Sequence, residues 1–148
     1  PLDYDLVHRM KGLFSNLHIS VNGGITSLDQ AEHFLDMGLD GVMIGRSAYH
    51  SPADILCQAD RRIYGKGNDT TAEAAVQQML PYIDAHIDGG GRLNQITRHM
   101  MGLFAGRPGA RIWRRHLSEN ASGPAADRQV LLDALDAMQT LAAAQEQV

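Results

Sequence analysis

The stretch His18–Pro52, HISVNGGITSLDQAEHFLDMGLDGVMIGRSAYHSP, sets two short β-rich runs around one amphipathic segment. Ile19–Val21 runs into Asn22-Gly23-Gly24, and Val42–Ile44 runs into Gly45-Arg46. Both glycine turns fall at the C-terminal end of a predicted strand, where α/β proteins keep their ligands. Between them, Ser27 with Gln30 forms a capping-box pattern that starts a helix, and Gly38 is placed to end it. The strand-to-strand spacing is that of one βαβ unit.

Working outward, residues 1–65 alternate helix and strand. The pattern predicts a helix over Tyr4–Phe14 capped by Asp3, a strand over Leu17–Val21, a helix over Leu28–Met37, a strand over Gly41–Ile44 and a helix over Ala53–Tyr64. Such alternation denotes a parallel sheet with crossover helices. Two parallel strands do not make a stable sheet alone, so further strands are expected before Pro1 or from another chain, and this half is expected to self-associate. Gly65–Asp69, GKGND, interrupts the alternation as a linker.

Residues 70–148 carry no strand pattern and are expected to form a four-helix bundle. Thr70 with Glu73 opens a helix bearing Val76, Met79, Leu80, Ile83 and Ile87, with Pro81 expected to kink or break it. Leu93, Ile96, Met100, Leu103 and Phe104 mark a second helix. Ala110–Leu117 predicts a short third, and Asp127–Ala144 a fourth with Leu131, Leu135, Met138 and Ala142 aligned.

The 148 residues, 44% hydrophobic, suffice for one ordinary domain or two small ones. No leader pattern or membrane-length apolar run is visible, and the expected location is cytoplasmic. The single cysteine, Cys57, offers no disulfide or CxxC pair and is read as a packed, inert thiol. The 7 histidines show no HExxH or paired spacing, so no metal site is expected.

The net charge of −4 conceals an asymmetry. Gly89–Ser118 contains no Asp or Glu, yet Arg92, Arg98, Arg107, Arg111, Arg114 and Arg115 lie there. A basic element on an acidic chain points to an anionic partner; the alternative is pairing with the acids of Asp127–Asp136. Arg111, Arg114 and Arg115 stand at i, i+3 and i+4, so a helix projects them from one side toward adjacent phosphates. Trp113 lies off that stripe and is expected in the core, as are Met100, Met101 and Met138.

At the opening stretch, the glycines let an anion approach the main chain, Arg46 supplies charge and Asn22 a hydrogen bond. Ser47 begins a short extra helix facing the same place. Paired loops of this kind fit the phosphate site after strands 7 and 8 of a (β/α)₈ barrel; the alternative is that the glycines serve only tight turns. Tyr49 and His50 follow the second loop with no assigned role.

The segments PLDYD, NGGI, DGVMIGRSAY and ITRHMMGLFAGRPGARIWRRHLSENA carry a resemblance. They are similar to the C-terminal half of tRNA-dihydrouridine synthases, and within these to the A-type subfamily. The resemblance implies that residues 1–65 are the C-terminal portion of a TIM-barrel FMN-binding domain and residues 70–148 a helical tRNA-binding domain. It implies FMN held through its phosphate by Asn22, Gly23, Gly24, Gly45 and Arg46, NADPH as reductant, and tRNA held by Arg111 and Arg114, to which the helical spacing adds Arg115. The implied reaction reduces D-loop uridine to 5,6-dihydrouridine. The family's catalytic cysteine corresponds to no residue here, and Cys57 is not its equivalent. No catalytic residue is therefore expected in this chain, and the chain alone is expected to be inactive. The alternatives are a stand-alone RNA-binding helical module and another FMN-dependent TIM-barrel oxidoreductase acting on a small molecule.

Overall fold

The computed structural model describes residues 2–146, with side chains described to residue 141. The chain divides into two compact units, the first ending at Asp69 and the second beginning at Thr70. The described residues are mostly helical, with one small sheet.

The first unit runs α1 (Tyr4–Leu13), β1 (Ser20–Asn22), α2 (Leu28–Asp36), β2 (Gly41–Met43), α3 (Arg46–His50) and α4 (Pro52–Tyr64). β1 and β2 pair in parallel, with Ser20 opposite Gly41, Val21 opposite Val42 and Asn22 opposite Met43. The first strand begins later than its apolar pattern suggests. Leu17 N–H donates to the Phe14 carbonyl at 3.0 Å, closing a turn, and Ile19 N–H donates to Asp40 Oδ2 at 2.8 Å. A side chain thus occupies the place of a strand partner. A Cβ on Gly41 would lie 2.5 Å from Ser20 Oγ, so the serine would have to turn away to admit a side chain there.

Val21, Ile25, Phe34 and Leu39 form the buried centre, against which Tyr4, Val7, Ile19, Val42 and Ile44 pack. Asp3 caps α1 through Leu6 N–H at 2.9 Å, and Ser27 Oγ accepts from Gln30 N–H at 3.2 Å. The return bond of that capping box goes to Thr26 N–H, which donates to Gln30 Oε1 at 2.8 Å. Gly65, at φ 61°, closes α4 in the left-handed conformation.

The second unit contains α5 (Ala72–Asp88), α6 (Asn94–Thr97), α7 (Ala110–Asn120) and α8 (Gln129–Glu146). One expectation is corrected here, and of the kink or break expected at Pro81 the break does not occur. α5 runs through Pro81 without a break. Pro81 and Gln77, whose carbonyl loses its i+4 donor, are both exposed, so water can satisfy the freed oxygen. The second bundle helix shrinks to the four residues of α6, and a chain of turns follows to Arg107. Their bonds span three residues, as from Met100 N–H to Thr97 O at 2.9 Å and from Leu103 N–H to Met100 O at 3.1 Å. Gly102 and Gly106 lie in this stretch, whose apolar side chains still reach the core. The unit is therefore not a regular four-helix bundle. Trp113, fully buried, packs edge-on against Phe104 at 4.9 Å and donates from Nε1 to the Met100 carbonyl at 3.0 Å. Leu131, Leu135 and Met138 face the core as expected, while the side chain of Ala142 lies outside the described residues.

Candidate functional site

The two glycine turns meet. A cavity of about 560 Å³ is lined by Asn22, Gly23, Gly24, Gly45 and Arg46, so all five residues singled out by sequence share one wall. Parallel pairing places the two strand ends side by side, which is why turns about twenty residues apart in sequence share one opening. Gly23 and Gly24 take φ of 125° and 65°, a region that L side chains avoid. Beneath the turn, Tyr4 Oη donates to the Gly23 carbonyl at 2.5 Å, and a Cβ on Gly23 would fall 2.6 Å from Leu2. Tyr4 itself leans on Phe34 with ring centroids 4.9 Å apart. The start of α1 thus holds the turn in shape, a role that the sequence signals only through an aromatic residue just inside the helix.

Thr26, Ser47 and His50 complete the polar lining, and no carboxylate lines the cavity. Of these, Ser47 was expected at this place as the start of the short extra helix, and His50 follows the second turn; Thr26 looks like an ordinary residue ahead of the Ser27 cap. Tyr49 is more than half exposed and does not line the cavity. A lining of main-chain amides, hydroxyls and one guanidinium has the chemistry of an anion site; a carboxylate, that of Asp54, lines an adjoining pocket with Thr26, Arg46, Ser47 and His50. Cys57 is buried on α4, away from this lining.

In the second unit, α7 buries Ala110, Trp113 and Leu117 and exposes Arg111, Arg114 and Arg115. Helical spacing sorts the two sets to different sides. Among the described residues, Arg111 and Arg114 pair with no carboxylate, and Arg115 has only a loose approach to Glu119 at 3.9 Å. Pairing with Asp127–Asp136 is not how these charges are balanced. Arg107 instead approaches Glu73 at 3.9 Å, and Arg128 binds Asp84 at 2.9 Å.

A small parallel sheet with a cavity at its strand ends that no carboxylate lines, joined in sequence to a helical unit with an exposed arginine stripe, defines an α/β protein with an added helical unit. Comparison with known proteins gives the family. Residues 1–142 match dihydrouridine synthase (Dus), and the chain belongs to that family. It is 52% identical over 141 residues to a tRNA-dihydrouridine(20/20a) synthase of Shewanella oneidensis, covering 95% of this chain and 42% of the relative. Proteins of the same name from Salmonella typhi and Escherichia coli K12 are each 51% identical, over 91% of this chain and 40% and 39% of their own lengths. The chain thus spans about two fifths of the length of the curated relatives that it matches.

These findings overturn one part of the sequence-based resemblance. The family match covers residues 1–142, and the relatives are covered over 39% to 42% of their length. What they support is a part of such an enzyme that is smaller than a half, and the placement of the chain as the C-terminal half of an A-type synthase does not stand. No helix among the described residues is long and apolar enough to cross a membrane, and no group of metal-binding side chains occurs among them.

Proposed function

We propose that this chain is part of a flavin-dependent tRNA-dihydrouridine synthase that reduces uridine in the D-loop of tRNA. The observation that carries the proposal is the cavity in which both glycine turns and Arg46 converge. In this reading the sheet belongs to a TIM barrel and residues 1–65 serve FMN. Asn22, Gly23, Gly24, Gly45 and Arg46 hold the FMN phosphate, with Arg46 supplying the charge and the glycines admitting the anion to the backbone. When bound, FMN carries reducing equivalents from NADPH to the uracil ring. Residues 70–148 hold the RNA, with Arg111, Arg114 and Arg115 on successive phosphates. The residues of this chain bind and orient; no proton transfer is assigned to any of them. The location that suits this work is the cytoplasm, where tRNA and NADPH are available.

The test is the affinity of the chain for FMN and for riboflavin, followed by amide shifts at Gly23, Gly24, Gly45 and Arg46. FMN is expected to move these signals and riboflavin to leave them nearly unmoved. In the full-length enzyme, Arg46→Ala should weaken FMN by about 1.5–3 kcal/mol, the worth of a charged hydrogen bond, while leaving affinity for riboflavin nearly unchanged. Equal losses for both ligands would remove the phosphate from this site.

A further inference from the structure

A second polar groove, of about 560 Å³, lies in the helical unit between the α6 segment and α7. Arg92 and Arg98 line one side, Ser118 and Ser122 the other, and no carboxylate lines it. Both arginines are exposed, and among the described residues neither pairs with a carboxylate. Arg98 is held in place by its own segment, its Nε donating to the Gln95 carbonyl at 3.2 Å. Arg92 is anchored through its backbone, whose N–H donates to Gln95 Oε1 at 3.1 Å. Thr97 also belongs to the wall; it is 1% exposed, and its Oγ1 has no hydrogen-bond partner among the described residues. A buried hydroxyl with no protein partner calls for an explanation, and a bound polar ligand is one.

One residue of the groove, Ser118, lies on the side of α7 that bears the arginine stripe. Ser118 stands one turn beyond Arg114 and two turns beyond Arg111, so on a helix it belongs to the same side. We propose that Arg92 and Arg98 form a second RNA-phosphate site, extending the track of Arg111, Arg114 and Arg115 along the backbone of the same bound strand. Ser118 Oγ already donates to the Arg114 carbonyl at 2.8 Å, so the Ser122 hydroxyl is the one placed to donate to that backbone, and the absence of carboxylates keeps the groove's potential positive. The inference rests on the reading of the helical unit as an RNA-binding element.

The test is titration of the 148-residue chain with an unmodified folded tRNA transcript across a range of salt. Arg92→Ala with Arg98→Ala should reduce the slope of log K against log salt by about 1.8, from two phosphate contacts. Between about 50 and 200 mM salt the unchanged protein should therefore lose about tenfold more affinity than the double variant. Arg111→Ala should add its own decrement independently, while Arg128→Ala, whose charge is engaged by Asp84, should change little. If Arg111→Ala and Arg114→Ala weaken binding but the double variant leaves affinity and slope unaltered, the groove proposal falls and the stripe stands. If none of these changes matters, the RNA reading of the unit falls as well. Replacement of both residues by Gln, with unchanged helix content, guards against misfolding and must reproduce the lost slope. Inorganic phosphate should compete, shifting the Thr97, Ser118 and Ser122 amides; such shifts without an RNA effect would make this a small-anion site and overturn the proposal.

Discussion

Gly106 and Gly109 share nearly the same backbone twist, at φ 76° and 78°, yet stand in different surroundings. A Cβ on Gly106 would meet open space, whereas one on Gly109 would collide with Met138 of α8, whose carbonyl oxygen would lie only 3.1 Å away. Gly106→Ala should therefore cost about 1 kcal/mol, from the left-handed backbone alone. Gly109→Ala should cost about 2–4 kcal/mol, since overpacking against a helix is added. Urea unfolding of the two variants checks this, and equal losses would show that α8 yields freely at Met138. Trp113 was legible as a core residue because its neighbours Arg111, Arg114 and Arg115 already occupied the other side of the helix. The N-cap of α5 was not, since Thr70 and Thr71 are chemically equivalent candidates. The fold selects Thr71, which accepts from Ala74 N–H at 3.1 Å and leaves Glu73 beside Arg107.

Between elements, charge pairs tie the first unit together. Arg62 of α4 reaches Glu32 of α2 through two bonds, at 2.7 and 2.6 Å, and also binds Asp29. The hydrogen bond to Arg62 holds the Glu32 carboxyl below its ordinary value, and the same bonds raise Arg62. Asp40 is lowered first by Lys11 of α1, whose Nζ lies 2.6 Å away, and then by Ile19 N–H. A carboxyl whose folded pKa is depressed adds stability above its unfolded value and loses it as pH falls through the folded one. The contribution should be full at neutral pH and decline only below about pH 4, where unfolded Asp and Glu titrate. These groups are reached by solvent, so the effect is modest. Thermal unfolding followed from pH 7 to pH 2 should show a shallower acid decline in Glu32→Gln and Asp40→Asn than in the unchanged chain. An identical decline would mean that other groups govern acid unfolding.

At the scale of the molecule, several large apolar side chains of the first unit are exposed near one another in sequence. Leu2, Leu6, Met10 and Leu13 are exposed along the start of the chain and α1, which buries no residue, and Met43 is half exposed on β2. An apolar helix face and a two-stranded sheet with no third strand among the described residues invite pairing with another surface. The isolated chain should therefore self-associate with rising concentration, and Leu6→Lys with Met10→Lys should shift it toward monomer. Sedimentation showing a monomer at all concentrations, for the unchanged chain, would contradict this.

Local chemistry determined much of this protein from sequence alone. Asp3 and Ser27 caps, the left-handed Gly38 at the end of α2, the alternation of helix and strand, and the sorting of Trp113 from the arginines all depend on residues within a turn or two of one another. Tertiary structure decided the rest, because the deciding partner was distant along the chain. Asp40 replaces a strand partner for Ile19 across 21 positions, and Tyr4 holds the Gly23 turn across 19. In the segment after α6, which stays a series of turns despite its helical apolar spacing, Phe104 and the Met100 carbonyl meet Trp113 of α7. The five residues of the glycine turns could be named from the sequence, but only the parallel pairing of two three-residue strands brings them to one cavity, since sequence spacing carries no information on which strand ends lie together.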